Sequence, residues 1–369
     1  MKKVFLFTAI CAAAMVGCTN NDVTPEQQEI NFSPLSYKST KAIIDGQIYD
    51  LNAPSFGLFA YYTGNKDWAA SDATRQSYFE NLPVSADQVD KIWKSTPKKY
   101  WPIDGGKLTF IGYSPYTGVT PTYNTNESGK GVLTISGFTV GVTLANLDLD
   151  NQVDLLYSKP YDAMNKTTND VGYTYGAGDG ETSAKTGVNI KFRHALTQVI
   201  VKAKIKETYP EDTYSITKLE LKNLKNNGNF TLTSTYAGTY AETSDVPDWD
   251  SQSGDFTQTL FNNTTTPKAI DTDPGTLVSF PAVLVLPQDL IKTGTTGDNA
   301  TDQIIEVDLV QHHGTIDIPV TRTVYLKNET LSSFDINKKI VITLTIGADE
   351  ILYAPSVADW DSSTSSADL

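Results

Sequence analysis

Cysteine and histidine, which can act as nucleophiles, proton carriers and metal ligands, are few in this chain of 369 residues. It has only two cysteines and three histidines, beside 43 acidic and 29 basic residues. Zinc clusters, a disulfide framework and most catalysis by histidine therefore lack the atoms that they need. The net charge of −14 also argues against binding to the phosphates of nucleic acids. Any chemistry would have to come from carboxylates or hydroxyls.

The best candidate for a metal site is the pair His312 and His313, which lies between Asp308 and Asp317. Imidazole and carboxylate together are ligands that transition metals accept. Neighbouring residues of a β-strand point to opposite faces of the sheet, however, so the two rings would diverge. We therefore predict no metal site here. We also predict no cofactor and no enzymatic activity.

The sequences at 246–251 and 357–362 each place a tryptophan between two aspartates. A tryptophan ring can stack on the face of a sugar while neighbouring carboxylates accept hydrogen bonds from its hydroxyls. Trp249 falls in a polar stretch that we predict to be a loop, so it is the candidate glycan contact. The alternative is that such a tryptophan packs in a core.

The first residues have the pattern of an export signal, with two lysines before an apolar run at 4–14 that is too short to span a bilayer. The run ends in Met15-Val16-Gly17-Cys18, which resembles the lipobox at which bacterial lipoproteins are cut and lipidated. Residues 1–17 would be the signal peptide, and acyl chains on Cys18 would anchor the mature chain in a membrane.

Residues 18–41 contain a polar tether and then a strand that could be removed. The apolar side chains of this strand are Ile30, Phe32, Leu35 and Tyr37, and polar residues lie between them. It is followed by small hydroxyl residues with two lysines, Lys38 and Lys41, a composition that a trypsin-like protease could enter if the segment is exposed. The alternative is an ordinary N-terminal strand.

From residue 42 onwards, apolar residues recur mostly at every second position, and helical periodicity is weak. Short strands about ten residues apart predict an all-β protein with a β-sandwich in each half. A short helix is predicted only at 69–81. The stretch at 165–187 is rich in Thr, Gly and Asp, so we place a domain boundary after it, between a sandwich at 42–187 and another at 188–369.

Five short sequences resemble, in the right order, the signatures of the fimbrillin family of lipoprotein pilins from Bacteroidales. They are Lys99-Tyr100-Trp101-Pro102, 108–115, Asp154-Leu155-Leu156-Tyr157, 188–196 and the ending at 334–360. The resemblance implies two tandem transthyretin-like β-sandwiches and assembly into a type V pilus. It also implies that a trypsin-like protease removes the N-terminal strand at the outer membrane. A strand of another subunit then fills the exposed groove.

The resemblance also suggests which residues take part in assembly. Thr40-Lys41-Ala42 is similar to the cleavage context of the family with lysine in place of arginine, so we expect cleavage between Lys41 and Ala42, or else between Lys38 and Ser39. Near the C-terminus, the odd-numbered residues Ile351, Tyr353 and Val357 share one face of a possible donor strand. The alternative is that they form only the last strand of their own domain.

The sequence thus predicts a structural subunit or adhesin of a fimbria, exported as an outer-membrane lipoprotein, matured by proteolysis and polymerised by strand exchange. Its partners would be other pilin subunits, the outer membrane, a trypsin-like maturation protease and a ligand on a host or bacterial surface. A stalk, tip or anchor position in the pilus stays open. One alternative is a non-polymerising surface lipoprotein that anchors a pilus or binds carbohydrate, and another is a secreted enzyme acting on carbohydrate.

Overall fold

The structure is a computed structural model that describes residues 29–36, 51–66, 68, 70–126, 130–164, 187–209, 211–235, 245–293 and 301–360. Regular structure in these ranges is almost entirely β, with two single 3-10 turns at Leu144–Asn146 and Leu149–Asn151. The prediction of an all-β fold is confirmed. In the same ranges, no helix has the length and apolar character needed to cross a membrane.

The described residues form 24 strands. In chain order they are β1 (Asn31–Ser36), β2 (Phe56–Tyr62), β3 (Gln76–Asp87), β4 (Ile92–Ser95), β5 (Leu108–Ser114), β6 (Pro121–Asn126), β7 (Lys130–Thr139), β8 (Leu156–Ser158), β9 (Tyr161–Met164), β10 (Val188–His194), β11 (Thr197–Ile205), β12 (Asp212–Leu224), β13 (Asn227–Thr235), β14 (Asp245–Ser253), β15 (Phe256–Asn262), β16 (Lys268–Ala269), β17 (Val278–Ser279), β18 (Val283–Val285), β19 (Gln288–Asp289), β20 (Ile304–His313), β21 (Ile316–Tyr325), β22 (Ser333–Phe334), β23 (Lys338–Ile346) and β24 (Ile351–Asp359).

The helix predicted at 69–81 is wrong. From Gln76 the chain runs in β3, which pairs antiparallel with β2 and buries Phe79, Leu82 and Val84. The strand contains a register shift near Asn81, whose φ is 45°. Cross-strand pairing over a buried face outweighs a weak local preference for helix.

Seven strands of the first sheet close on themselves. Their order is β2, β3, β4, β1, β10, β8 and β5, and β5 pairs back onto β2, while β9 adds to β5 outside the ring. Each strand of the ring, or a residue next to it, contributes buried side chains to a single core. These include Ile30, Phe32, Phe56, Trp93, Phe110, Leu156 and Phe192. Closing a sheet removes the exposed edges that would otherwise pair with other chains.

The remaining strands form a four-stranded sheet and a β-sandwich. The four-stranded sheet has the order β14, β13, β7 and β6, and it packs on the outer face of β2, β5 and β8 through a second core. The sandwich joins the sheet β17, β11, β23 and β24 to the sheet β15, β12, β20 and β21 through a third core. Short strands β18 and β16 pair with β11 and β12, and β19 pairs with β22.

Two pairings bear on the boundary predicted after residue 187. Strand β10 follows that boundary but belongs to the first closed sheet, and β7 pairs with β13 across it over eight residue pairs. The two tandem domains and their transthyretin-like topology stay predictions.

A buried glutamine fastens the segment after β7 to the sandwich. The Gln258 Oε1 atom accepts a hydrogen bond from the Val142 N–H over 3.1 Å, and Gln258 Nε2 donates to the Val142 carbonyl over 3.0 Å. The side-chain amide thus pairs with the backbone as a neighbouring strand would. Because the site is buried, no water replaces these bonds if the amide is lost.

We expect Gln258→Leu to lower the free energy of unfolding by about 2–4 kcal/mol, since it leaves a backbone donor and acceptor unpaired. Urea unfolding would measure the change. Gln88→Leu is the matched control, because Gln88 is exposed, and its effect should stay within about 0.5 kcal/mol. Equal effects of the two substitutions would contradict the role assigned to Gln258.

Candidate functional site

The strand β1 completes the closed sheet between β4 and β10. It runs parallel to β10 over five residue pairs and antiparallel to β4 over two. Just before it, the Ile30 N–H donates to the Lys99 carbonyl over 2.8 Å. Removing β1 would leave unpaired backbone along both β4 and β10, which are then two sheet edges facing one groove.

Side chains of β1 and its preceding residue also fill the core of the closed sheet. The exposed fraction of Ile30 is 0% and that of Phe32 is 1%. The Phe32 ring meets Phe56 and Phe110 edge to face, at centroid distances of 6.4 and 5.8 Å. Burying an aliphatic or aromatic side chain of this size contributes about 1.5–3 kcal/mol. Without β1 the groove would therefore be apolar as well as unpaired.

The residues predicted for the removable strand have different outcomes. Ile30 and Phe32 lie in the core, and Leu35 belongs to β1, opposite Lys191 of β10. Tyr37 lies outside the described residues, as do the lipidation and cleavage residues Cys18, Lys38, Ser39, Lys41 and Ala42. Sequence reasoning missed Pro34, which is buried and follows Ile30 and Phe32 at the same two-residue spacing.

The C-terminal strand β24 lies at the end of its sheet and pairs antiparallel with β23 over nine residue pairs. Ile351 and Tyr353 are half-buried against the core of the sandwich. The Tyr353 hydroxyl donates to the Leu326 carbonyl over 2.8 Å, and burial raises the pKa of this phenol. Val357 is 43% exposed, so it does not share the burial of the other two residues.

β1 and β24 carry the same pattern of side chains. Ile30-Asn31-Phe32-Ser33-Pro34 and Ile351-Leu352-Tyr353-Ala354-Pro355 both read Ile-x-aromatic-x-Pro. In an extended strand these three positions face one side. The two segments could therefore offer the same apolar face to one groove.

The loop predicted around Trp249 is wrong, because this residue lies in β14. The exposed fraction of Trp249 is 7%, and its indole N–H donates to the Ala195 carbonyl over 2.7 Å. The ring packs against Phe138 and Phe230, so it offers no open face to a sugar. Asp248 is exposed, Trp249 is buried and Asp250 is exposed, which is the alternation expected of a strand. The polar composition of this stretch had favoured a loop.

Trp249 does border a cleft of about 480 Å³ between β14 and the short strands β19 and β22. Polar side chains line much of this cleft, and they include Asp248, Gln252, Asp289, Ser333 and Asp335. Gln252 Nε2 donates across it to the Pro287 carbonyl over 2.6 Å. The cleft thus presents mainly hydrogen-bond acceptors of negative charge.

The two adjacent histidines have separate partners at the end of β20. His312 Nδ1 lies 2.6 Å from Asp317, and its Nε2 lies 2.8 Å from the Ser215 hydroxyl. This chain of contacts has the order found in serine hydrolases. Ser215 is only 5% exposed, however, and it lies in β12 between paired strands β16 and β20. Its backbone therefore forms part of a sheet and not of an open oxyanion site.

His313 contacts other carboxylates. Its Nδ1 lies 2.6 Å from Asp212, and this hydrogen bond raises the pKa of the imidazole above its ordinary value. Among the residues described, no group of three or more His, Cys, Asp or Glu side chains could hold a metal ion.

Comparison with solved structures identifies the class of fold. A crystal structure of a fimbrial protein from Bacteroides vulgatus matches with a TM-score of 0.53 at 17% identity, over 90% of this chain and 99% of that chain. A fimbrium subunit, Fim1C of Phocaeicola vulgatus, is 25% identical over 211 residues, which are 54% of this chain and 50% of the relative. This match therefore spans about half the length of the relative.

The fimbrillin-like family matches residues 40–360, which is most of the chain. The protein belongs to this family.

Phe32→Ala should lower the free energy of unfolding by about 3–5 kcal/mol, because it opens a cavity at the centre of the closed sheet. Urea unfolding followed by tryptophan fluorescence would measure this. Ile103→Ala is a control at a side chain that is 73% exposed, and it should have an effect below about 0.5 kcal/mol. A loss below about 1 kcal/mol for Phe32→Ala would contradict the placement of β1 in this core.

The imidazole of His313 should titrate above the ordinary value of about 6.5, and Asp212→Asn should bring its pKa back down. Since the pKa is raised in the folded state, the stabilisation from this contact is complete below about pH 6.5 and is lost as the pH rises through the folded pKa. An NMR titration of the histidine ring protons measures both variants. An unchanged midpoint in Asp212→Asn would refute the assignment of the cause.

Proposed function

We propose that this chain is a structural subunit of a fimbria and that its copies join by exchanging a strand. Membership of the fimbrillin-like family supports a fimbrial role. The observation that carries the assembly mechanism is the shared pattern of β1, which completes a closed sheet, and β24, which lies at a sheet edge. One segment can be removed, and the other can take its place.

In this proposal the chain reaches the outer membrane as a lipoprotein anchored through Cys18. A trypsin-like protease then cuts after Lys41, or after Lys38. Both bonds follow the end of β1 at Ser36 and precede β2, which begins at Phe56. A cut there separates β1 from the rest of the chain while leaving β2 and the later strands covalently intact.

The groove left by β1 needs a new strand, because it combines unpaired backbone with an apolar floor. A second copy supplies β24 in the orientation of β1, parallel to β10 and antiparallel to β4. Ile351 then replaces Ile30, Tyr353 replaces Phe32, and Pro355 replaces Pro34. Because both strands carry proline at this position, the exchange neither adds nor removes a backbone N–H donor there.

Such an exchange joins the end of one subunit to the groove of the next. The two contacting surfaces differ, so the contact is head to tail, and repeated contacts of this kind build an open filament unless their rotation closes a ring. Main-chain hydrogen bonds supply affinity and the alternating side chains supply register, as in other cases of strand addition.

A second candidate function is an uncut surface lipoprotein that anchors a pilus or binds carbohydrate. Lysine at position 41, in place of the arginine of the family context, supports a chain that keeps β1. The acceptor-lined cleft beside β14 supports a carbohydrate ligand that does not stack on Trp249.

Limited trypsin digestion of the purified chain, followed by N-terminal sequencing and native sizing, tests the proposal. We expect a new N-terminus at Ala42 or Ser39 and a ladder of oligomers. A synthetic peptide covering residues 350–360 should bind the trimmed chain and suppress the ladder. The same peptide with Tyr353→Asp should not bind, because a carboxylate would enter the Phe32 position of the apolar groove.

The matched control is the peptide with Leu352→Asp, since residue 352 takes the place of Asn31 and lies on the other face. It should bind within about fivefold of the unmodified peptide, a difference of about 1 kcal/mol. A trimmed chain that stays monomeric and binds none of these peptides would overturn strand exchange. Resistance of residues 30–43 to trypsin would favour the uncut lipoprotein.

A further inference from the structure

An aromatic stack holds the C-terminal end of β24. The Trp360 ring lies parallel to the His194 ring, with a centroid distance of 3.8 Å and an angle of 6° between planes. Trp360 is 6% exposed, and its backbone N–H donates to the Asn337 carbonyl over 3.0 Å. The end of β24 is therefore fixed by a buried side chain as well as by sheet hydrogen bonds.

Trp360, which directly follows β24, is the buried side chain at the C-terminal end of this strand. Ser356, Val357 and Asp359 are exposed, and the ion pair of Asp359 with Lys338 lies at the surface. Surface ion pairs contribute little to stability. The well-buried anchor at this end of β24 is therefore Trp360, whereas Ile351 and Tyr353 hold the opposite end.

His194 connects the stack to the closed sheet. It is the last residue of β10, and its Nδ1 lies 2.7 Å from Asp154, two residues before β8. Strand β10 lies between β1 and β8, with Phe192 opposite Ser36 on one side and Ser158 on the other. The stack therefore lies two residues beyond the last pairing of β10 with β1.

We infer that Trp360, His194 and Asp154 form a latch that keeps β24 in its own sheet while β1 is present. The inference rests on the proposed strand exchange and adds its regulation. When β1 is removed, β10 loses the neighbouring strand that pairs with it up to Phe192, two residues before His194, and the end of β10 keeps only its pairing with β8. The latch then opens, and β24 leaves its sheet from the C-terminal end.

Two buried polar atoms support a latch that can open while the rest of the core stays packed. Within the described residues, neither the Trp360 indole N–H nor Asp154 Oδ1 has a hydrogen-bond partner. Unpaired buried groups make the closed state less stable than a fully satisfied cluster would be. A latch of this kind makes the groove and the donor strand available together, which keeps uncut subunits from polymerising.

Hydrogen exchange of the full chain, read by mass spectrometry on peptides that cover β24, tests the latch. In the uncut chain, Trp360→Ala should raise exchange in β24 at least tenfold and leave β12 and β20 unchanged. Trp360→Phe keeps an aromatic ring over His194 and should stay within threefold of the original chain. Asp359→Ala removes the neighbouring ion pair but not the latch, and it should stay within twofold.

The coupling to β1 has its own readout. Phe32→Ala loosens β1 without a cut and should raise exchange in β24, while trypsin trimming should raise it further. If Trp360→Ala changes β24 by less than twofold, or raises exchange equally in all strands, the latch is overturned. If Trp360→Ala has the expected effect but Phe32→Ala and trimming leave β24 protected, its coupling to β1 is overturned.

A trimmed chain that polymerises under any of these outcomes leaves strand exchange standing, whereas a trimmed chain that binds no β24 peptide overturns strand exchange itself.

Discussion

Strand β1 supplies both backbone hydrogen bonds and buried apolar side chains to the closed sheet, and the rest of the architecture depends on this combination. A sheet of seven strands has no exposed edge only while every neighbour is present, and β1 is the neighbour that β4 and β10 share. Its contribution cannot be replaced by water, because Ile30 and Phe32 occupy the centre of an aromatic core. Any event that removes β1 creates an edge on each side and a cavity between them.

The same constraint explains why the C-terminal strand matters. An apolar groove with two free edges accepts an extended segment whose side chains alternate in the same way, and the pattern Ile-x-aromatic-x-Pro occurs in both β1 and β24. In its own sheet β24 lies at the edge, with one neighbour and half-buried side chains. Exchange would move it from a position with one paired edge to a position with two, which favours the assembled state once β1 has gone.

Local patterns in the sequence were sufficient for the all-β class and for the strands whose burial alternates, such as β11 and β23. They were insufficient where the outcome depends on distant partners. Residues 76–81 become part of β3 because β2 pairs with this strand, and Trp249 is buried because β14 pairs with β13 and the Trp249 ring packs against Phe138 of β7. The pairing of β7 with β13 joins residues about a hundred positions apart, and the spacing of apolar residues within either strand does not predict it. Pro34 was missed as a core residue because proline lacks a backbone N–H for the sheet and ordinarily argues against a central strand.

If β24 of one subunit takes the register of β1 in the next, a disulfide bond between the two chains can trap that register. Both native cysteines precede residue 41, so a trimmed chain carries only cysteines that are introduced. In the register of β1, Leu352 takes the place of Asn31, opposite Lys94 of β4. Trimmed Leu352→Cys mixed with trimmed Lys94→Cys should form a covalent dimer under mild oxidation, whereas Ala354→Cys with Lys94→Cys should not. No covalent dimer from the first pair, or equal yields from both pairs, would show that β24 does not take the register of β1.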